Sequence, residues 1–149
     1  MAVRLLDYAF SGNLRKVKRC INSGVDVDAC ESSGNSALYH AVSRNQHKCV
    51  KYLLSCRADP NRINKEGYSP VNEACFKNNV KCLALLVQYG GSLDQLSADH
   101  KESAIVSAYK KHSTKVIRFI NLLKDEALTK DGHDLLELEA EHKQKVVFP

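Results

Sequence analysis

Cysteine and histidine are the side chains here that could hold a metal or attack a substrate, and the sequence has six of each. Their spacing serves neither chemistry. A tetrahedral metal site draws its ligands from close pairs such as Cys-x-x-Cys or His-Glu-x-x-His, and neither pattern occurs. Cys75 and Cys82 fall on different expected helices, as core thiols would. No Gly-x-Ser-x-Gly elbow presents a nucleophilic serine. Gly90-Gly91 follows a helical pattern rather than a strand, so it does not cradle a phosphate. His47, His100 and His112 sit in polar turn or helix-end positions. The expectation is no catalytic residue, no cofactor, no metal and no small-molecule substrate.

Charge is the more informative chemistry. The net charge is +5, yet residues 126–149 hold six acids against three bases, which leaves +8 on residues 1–125. Basic residues cluster at Arg15-Lys16 with Lys18-Arg19, and at Lys110-Lys111-His112 with Lys115. Such clusters are either solvated helix faces or surfaces that steer an acidic protein partner. Nucleic acid is disfavoured, because no aromatic residues interleave with the basic ones to form a stacking platform.

Composition sets the frame for these side chains. Hydrophobic residues make up 44% and charged residues 26% of 149, ordinary for a globular domain. No apolar run reaches the roughly 20 residues that cross a bilayer, so membrane insertion is not expected. Asp7 interrupts the amino-terminal apolar stretch where a secretory leader would continue. Reduced thiols in the cytoplasm or nucleus follow, with Cys49, Cys75 and Cys82 as small buried apolar side chains. Cys30 and Cys56, near the ends of units, are the expected exposed thiols.

The elements that position all of this repeat. Moving 33 positions takes Gly34 to Gly67, Ser36 to Ser69, Ala41 to Ala74, Cys49 to Cys82 and Leu53 to Leu86. A fixed offset that keeps turn, small and apolar residues in phase marks a stacked array, each unit a turn, a short helix, a tight reversal and a second helix. Gly12 is expected at one reversal, and Gly24 and Gly90 at left-handed stops after second helices. Position 57 is Arg where those two have Gly, so that turn is either strained or built differently. A fourth unit keeps phase with one inserted residue near Asp99-His100-Lys101, matching Ser103 and Ala108 to Ser69 and Ala74 at an offset of 34. Its terminal Gly is replaced by Lys124, so its second helix is expected to run on through Leu122 and Leu123.

The period, with Ser36-Ala37-Leu38-Tyr39-His40-Ala41 and Ser69-Pro70-Val71-Asn72-Glu73-Ala74 opening first helices, resembles the ankyrin repeat and its T-P-L-H-x-A signature. The resemblance implies an all-α solenoid of stacked helix-turn-helix units joined by β-turn or loop fingers. Residues 1–149 then form a single domain of about four and a half units. An amino-terminal cap occupies about 1–30, and full units about 31–63, 64–95 and 96–128. A capping half unit, helical from about 134 to 144, spans 129–145, and 146–149 form a tail. The family histidine is replaced by Tyr39, Asn72 and Val106, so the hydrogen bonds it makes between turns are expected to be absent or altered.

Such a protein is expected to be a non-enzymatic adaptor or inhibitor that binds another protein, with an acidic surface, through its concave face and turn tips. By register the tips carry Ser33 and Asn35, then Lys65, Glu66 and Tyr68, then His100 and Glu102. The ends of first helices carry Phe10 and Ser11, Ser43 and Arg44, Phe76 and Lys77, and Lys110 and Lys111. Phe10, Tyr68 and Phe76 are the aromatic anchors among them, unless they fold over onto a neighbouring loop.

Overall fold

The computed structural model describes residues 1–94 and 103–131, with side chains as far as residue 126. Among these, eight helices follow one another: α1 (Ala2–Ser11), α2 (Leu14–Asn22), α3 (Ala37–Ser43), α4 (His47–Ser55), α5 (Pro70–Phe76), α6 (Val80–Gln88), α7 (Ala104–Lys110) and α8 (Thr114–Asp131). No strand occurs among the described residues, where Cys30 and Ser36 make an isolated antiparallel bridge.

The serines expected to open first helices do so. Ser36, Ser69 and Ser103 stand in extended backbone, and their hydroxyls accept from the N–H groups of Tyr39 (3.2 Å), Asn72 (3.2 Å) and Val106 (3.4 Å). Each cap satisfies an amide the helix cannot, an interaction worth about 1 kcal/mol. At α5 the cap is reciprocal, since Asn72 Oδ1 accepts from the Ser69 N–H at 2.9 Å. The side chain that replaces the family histidine thus binds within its own helix start.

Each hairpin is closed by a left-handed residue. Gly12, Asn45, Asn78 and His112 have φ of 75°, 60°, 53° and 52°. After them the N–H groups of Asn13, Gln46, Asn79 and Ser113 reach back five residues to the carbonyls of Tyr8, Ala41, Ala74 and Ala108, at 2.8–3.0 Å. Asn and His tolerate this backbone better than most side chains. A second stop ends α2, α4 and α6. Gly24, Arg57 and Gly90 have φ of 90°, 67° and 91°, and the next N–H returns to Cys20, Leu53 or Leu86. Position 57 is therefore the strained version of the neighbouring turns, with the same bonds.

The helices stack in two rows. α1, α3, α5 and α7 pack one against the next, and α2, α4 and α6 form the second row behind them. Register columns supply the shared core: Leu5, Leu38 and Val71 in the first row, Val17, Val50 and Leu83 in the second, all fully buried. Ala41, Ala74 and Ala108 are equally buried and bring first helices close. Cys49, Cys75 and Cys82 lie in this core.

Packing divides the chain into two compact units, Met1–Ile117 and Arg118–Pro149. The stack belongs to the first. In the second, α8 continues through Leu122 and Leu123 to Asp131, as the missing glycine at position 124 predicts. The expected capping helix and the tail lie outside the described residues, as do Asp99, His100 and Glu102.

Replacing Arg57 with Gly removes a Cβ from a left-handed position, and is expected to stabilise the fold by about 1 kcal/mol. In urea unfolding the midpoint should rise with an unchanged slope. An unchanged or lower midpoint would show that the arginine side chain stabilises the turn by more than its backbone strain costs.

Candidate protein-binding face

The fingers between units are short loops held by side chains. Glu31 Oε1 accepts from Ser33 Oγ at 2.7 Å and from Asn35 Nδ2 at 3.1 Å, and His40 Nε2 lies 3.1 Å from the same oxygen. The Ser33 hydrogen bond does most to hold the Glu31 carboxyl below its ordinary range, with Asn35 and His40 adding to it against a smaller effect of burial. Asn64 performs the same office in the next finger, its Oδ1 accepting from the N–H groups of Glu66 and Tyr68, both at 3.0 Å. The two fingers are tied together by Asn64 Nδ2 to Asn35 Oδ1 (2.8 Å) and by Lys65 N–H to the Ser33 carbonyl (2.9 Å). Tips of successive units thus form one connected ridge, with Lys65 and Glu66 exposed on it.

The aromatic candidates do not stand free in solvent. Phe10 meets His40 edge to face with centroids 5.9 Å apart, and the Arg44 guanidinium sits 4.1 Å from the Phe10 centroid. Tyr68 and Phe76 form a second edge-to-face pair at 5.3 Å, with Lys111 Nζ 5.8 Å from the Phe76 centroid. In both clusters a ring at the end of one first helix is covered by a cation at the end of the next. Phe10 remains 41% exposed, while Tyr68 and Phe76 are half-buried.

The structure therefore brings Phe10 together with Arg44, Tyr68 with Phe76 and Lys111, and Ser33, Asn35 and Lys65 with one another. Ser11 and Lys77 are exposed at first-helix ends, and Lys77 Nζ lies 3.9 Å from Glu73 in its own helix. Ser43 is half-buried and donates to the His40 carbonyl at 2.9 Å. Lys110 is exposed on the last turn of α7. His100 and Glu102 lie outside the described residues.

Sequence reasoning did not select Glu31, His40, Tyr39 and Glu73, though they organise this face. Tyr39 donates its hydroxyl proton to Glu73 at 3.0 Å across two first helices, and burial, reinforced by the Glu73 charge, raises its phenol. The usable signal was the offset itself: donor and acceptor are 34 residues apart, one period plus one.

Within this face the chemistry is hydrogen bonding and charge. Among the described residues no three His, Cys, Asp or Glu side chains gather where they could hold a metal ion. Burial pushes the Cys75 thiol up to about 12 and the Cys82 thiol up to about 11, so neither supplies a thiolate near neutral pH.

Two measurements check these assignments. A thiol reagent at pH 8 should modify exposed Cys30 first, with Cys49, Cys75 and Cys82 reacting only on unfolding. Labelling of Cys75 at the rate of Cys30 would mean that the stack opens readily. The Glu31 carboxyl should titrate with a midpoint below 4.5, its ordinary value here. A depressed value makes its contribution to the finger fully present above the unfolded pKa and lost as pH falls through the folded one. A midpoint at or above 4.5 would contradict the hydrogen-bonded arrangement.

The family model for ankyrin repeats (three copies) matches residues 5–96. The bovine inactive serine/threonine-protein kinase TEX14 is 34% identical over 123 residues, 80% of this chain but 8% of that protein. Mouse protein phosphatase 1 regulatory subunit 27 is 31% identical over 98 residues, 65% of this chain and 64% of its own length. Mouse RelA-associated inhibitor is 28% identical over 91 residues, 61% of this chain and 11% of that protein. The chain thus spans under a tenth of the bovine relative and just under two thirds of the phosphatase subunit. No helix among the described residues is long and apolar enough to cross a membrane. With the family model laid over the two rows of helices and their serine-capped starts, the chain belongs to the ankyrin-repeat family.

Proposed function

We propose that the chain is a non-enzymatic adaptor or inhibitor that binds a protein partner, in the cytoplasm or nucleus, along the finger ridge and first-helix ends. One observation carries this reading: the same ring-and-cation cluster recurs two units apart, Phe10 with Arg44 and Phe76 with Lys111. Rings held in place by their neighbours lose little entropy on binding and suit the role of anchors. The ridge between them offers backbone and side-chain polar groups that already have partners, so it can meet a folded surface without reorganising. Lys65, Lys77, Lys110 and Lys111 with Arg44 outnumber Glu31, Glu66 and Glu73 on this face, which favours an acidic partner surface. Relatives whose names describe a regulatory subunit and an inhibitor agree with this role.

Affinity capture with the wild type, read by mass spectrometry, identifies the partner. The catalytic subunit of protein phosphatase 1 is the first candidate to assay directly, because of the mouse relative's name. Tyr68→Ala with Phe76→Ala should weaken capture about tenfold or more. Because the rings pack on each other, these changes also cost stability, about 0.5–1.5 kcal/mol for the ring pair beyond the area it buries. Lys65→Ala with Glu66→Ala, both exposed, should weaken binding with an unchanged melting temperature. A partner retained equally by both double variants would place the interface elsewhere, and binding to generic DNA that falls steeply with salt would favour nucleic acid instead.

A further inference from the structure

The second-row helices carry a cation where a helix least favours one. Arg15, Lys48, Lys81 and Lys115 each occupy the second position of α2, α4, α6 and α8, at successive offsets of 33, 33 and 34. The first turns of these helices hold no acidic residue. The amino end of a helix carries a partial positive charge, so an acid there is stabilising and a base is not. The less favourable choice recurs in every hairpin. All four side chains are exposed, and none has an ion-pair partner among the described residues.

Three of these helices meet at a cavity. A groove of about 550 Å³ opens between the starts of α4, α6 and α8, lined among others by Lys77, Lys81, Lys115, His47, Asn45 and Asn79. No Asp or Glu lines it. It lies at the hairpin reversals, the opposite end of the first helices from the fingers. Ser43 and Lys77, at first-helix ends, also line it, whereas the rings of Phe10, Tyr68 and Phe76 and the finger residues Ser33, Asn35, Lys65 and Glu66 do not.

We propose that this edge docks an extended acidic segment of a protein partner, with anionic side chains at about every third residue. The spacing follows from geometry. Packed helices lie about 8–10 Å apart, and an extended chain advances about 3.3–3.6 Å per residue, so three residues span one unit. Carboxylates and phosphorylated side chains share the required chemistry. The lining contains no Phe, Tyr or Trp ring on which a base could stack, which favours a peptide over a nucleic acid.

The test uses labelled ten-residue peptides in low salt: glutamate at every third position, phosphoserine at the same positions, and the glutamates gathered at one end. The spaced peptides should bind the wild type more tightly than the gathered one, and the better of the two spaced forms identifies the anion. Lys81→Gln with Lys115→Gln should lower affinity about tenfold, while Arg4→Gln with Lys51→Gln, an equal loss of charge at exposed positions outside the groove, should change it less than about twofold. The groove variant should melt no lower than the wild type, since it removes cations from helix starts. Tyr68→Ala with Phe76→Ala should keep peptide binding, since neither ring lines the groove. Equal losses in the groove and control variants, a gathered peptide that binds as well as the spaced one, or tighter binding of a ten-nucleotide oligothymidylate would overturn the proposal.

Discussion

Helices of seven to nine residues do not persist by themselves in water, because the cost of nucleating a helix is spread over too few hydrogen bonds. α2 to α7 are all of that length. Their stability therefore comes from the columns they complete in one another, such as Leu5 with Leu38 and Val71, or Cys20 with Leu53 and Leu86. A buried leucine contributes about 1.5–3 kcal/mol, but only while the next hairpin stands beside it at the right height. The period of the chain is the statement of that requirement.

Keeping the height constant is the work of the turns. Two left-handed stops in each of the first three units, one at the reversal and one after the second-row helix, return the chain to the same phase whatever the residue that occupies them. Gly, Asn, His and Arg all serve, at increasing backbone cost. Side chains then lock neighbouring hairpins together at the reversals: Ser113 Oγ donates to the Cys75 carbonyl at 2.7 Å, and Asn78 Oδ1 accepts from the Val116 N–H at 3.1 Å. In the loops after the outer helices, Asp28 and Asn61 accept from the N–H groups of Asp59 and Ser92, the same bond one period apart. This scaffolding leaves two separate edges, fingers at one end of the first helices and reversals at the other.

Much of the fold could be read from residue types. Ser36, Ser69 and Ser103 announce helix starts because a hydroxyl caps an amide locally, without help from the rest of the molecule. The buried thiols were legible because Cys49 and Cys82 share an apolar register. Lys124 in place of a glycine foretold the length of α8. The left-handed backbone at Asn45, Asn78 and His112 was not legible, because these residues adopt it only when two packed helices demand the turn. Tyr68 and Phe76 read as separate anchors, being eight residues apart on a loop and a helix, yet they face each other.

The sequence by itself determined the period, the caps and the apolar columns, since each depends on contacts within a few residues or on a strict offset. Tertiary structure alone decided which side chains meet across hairpins: Tyr39 with Glu73, Asn35 with Asn64, and the cations over Phe10 and Phe76. Those pairings depend on how far one hairpin is displaced and rotated against the next. A displacement of that kind is the sum of many packing contacts, and no single residue carries it.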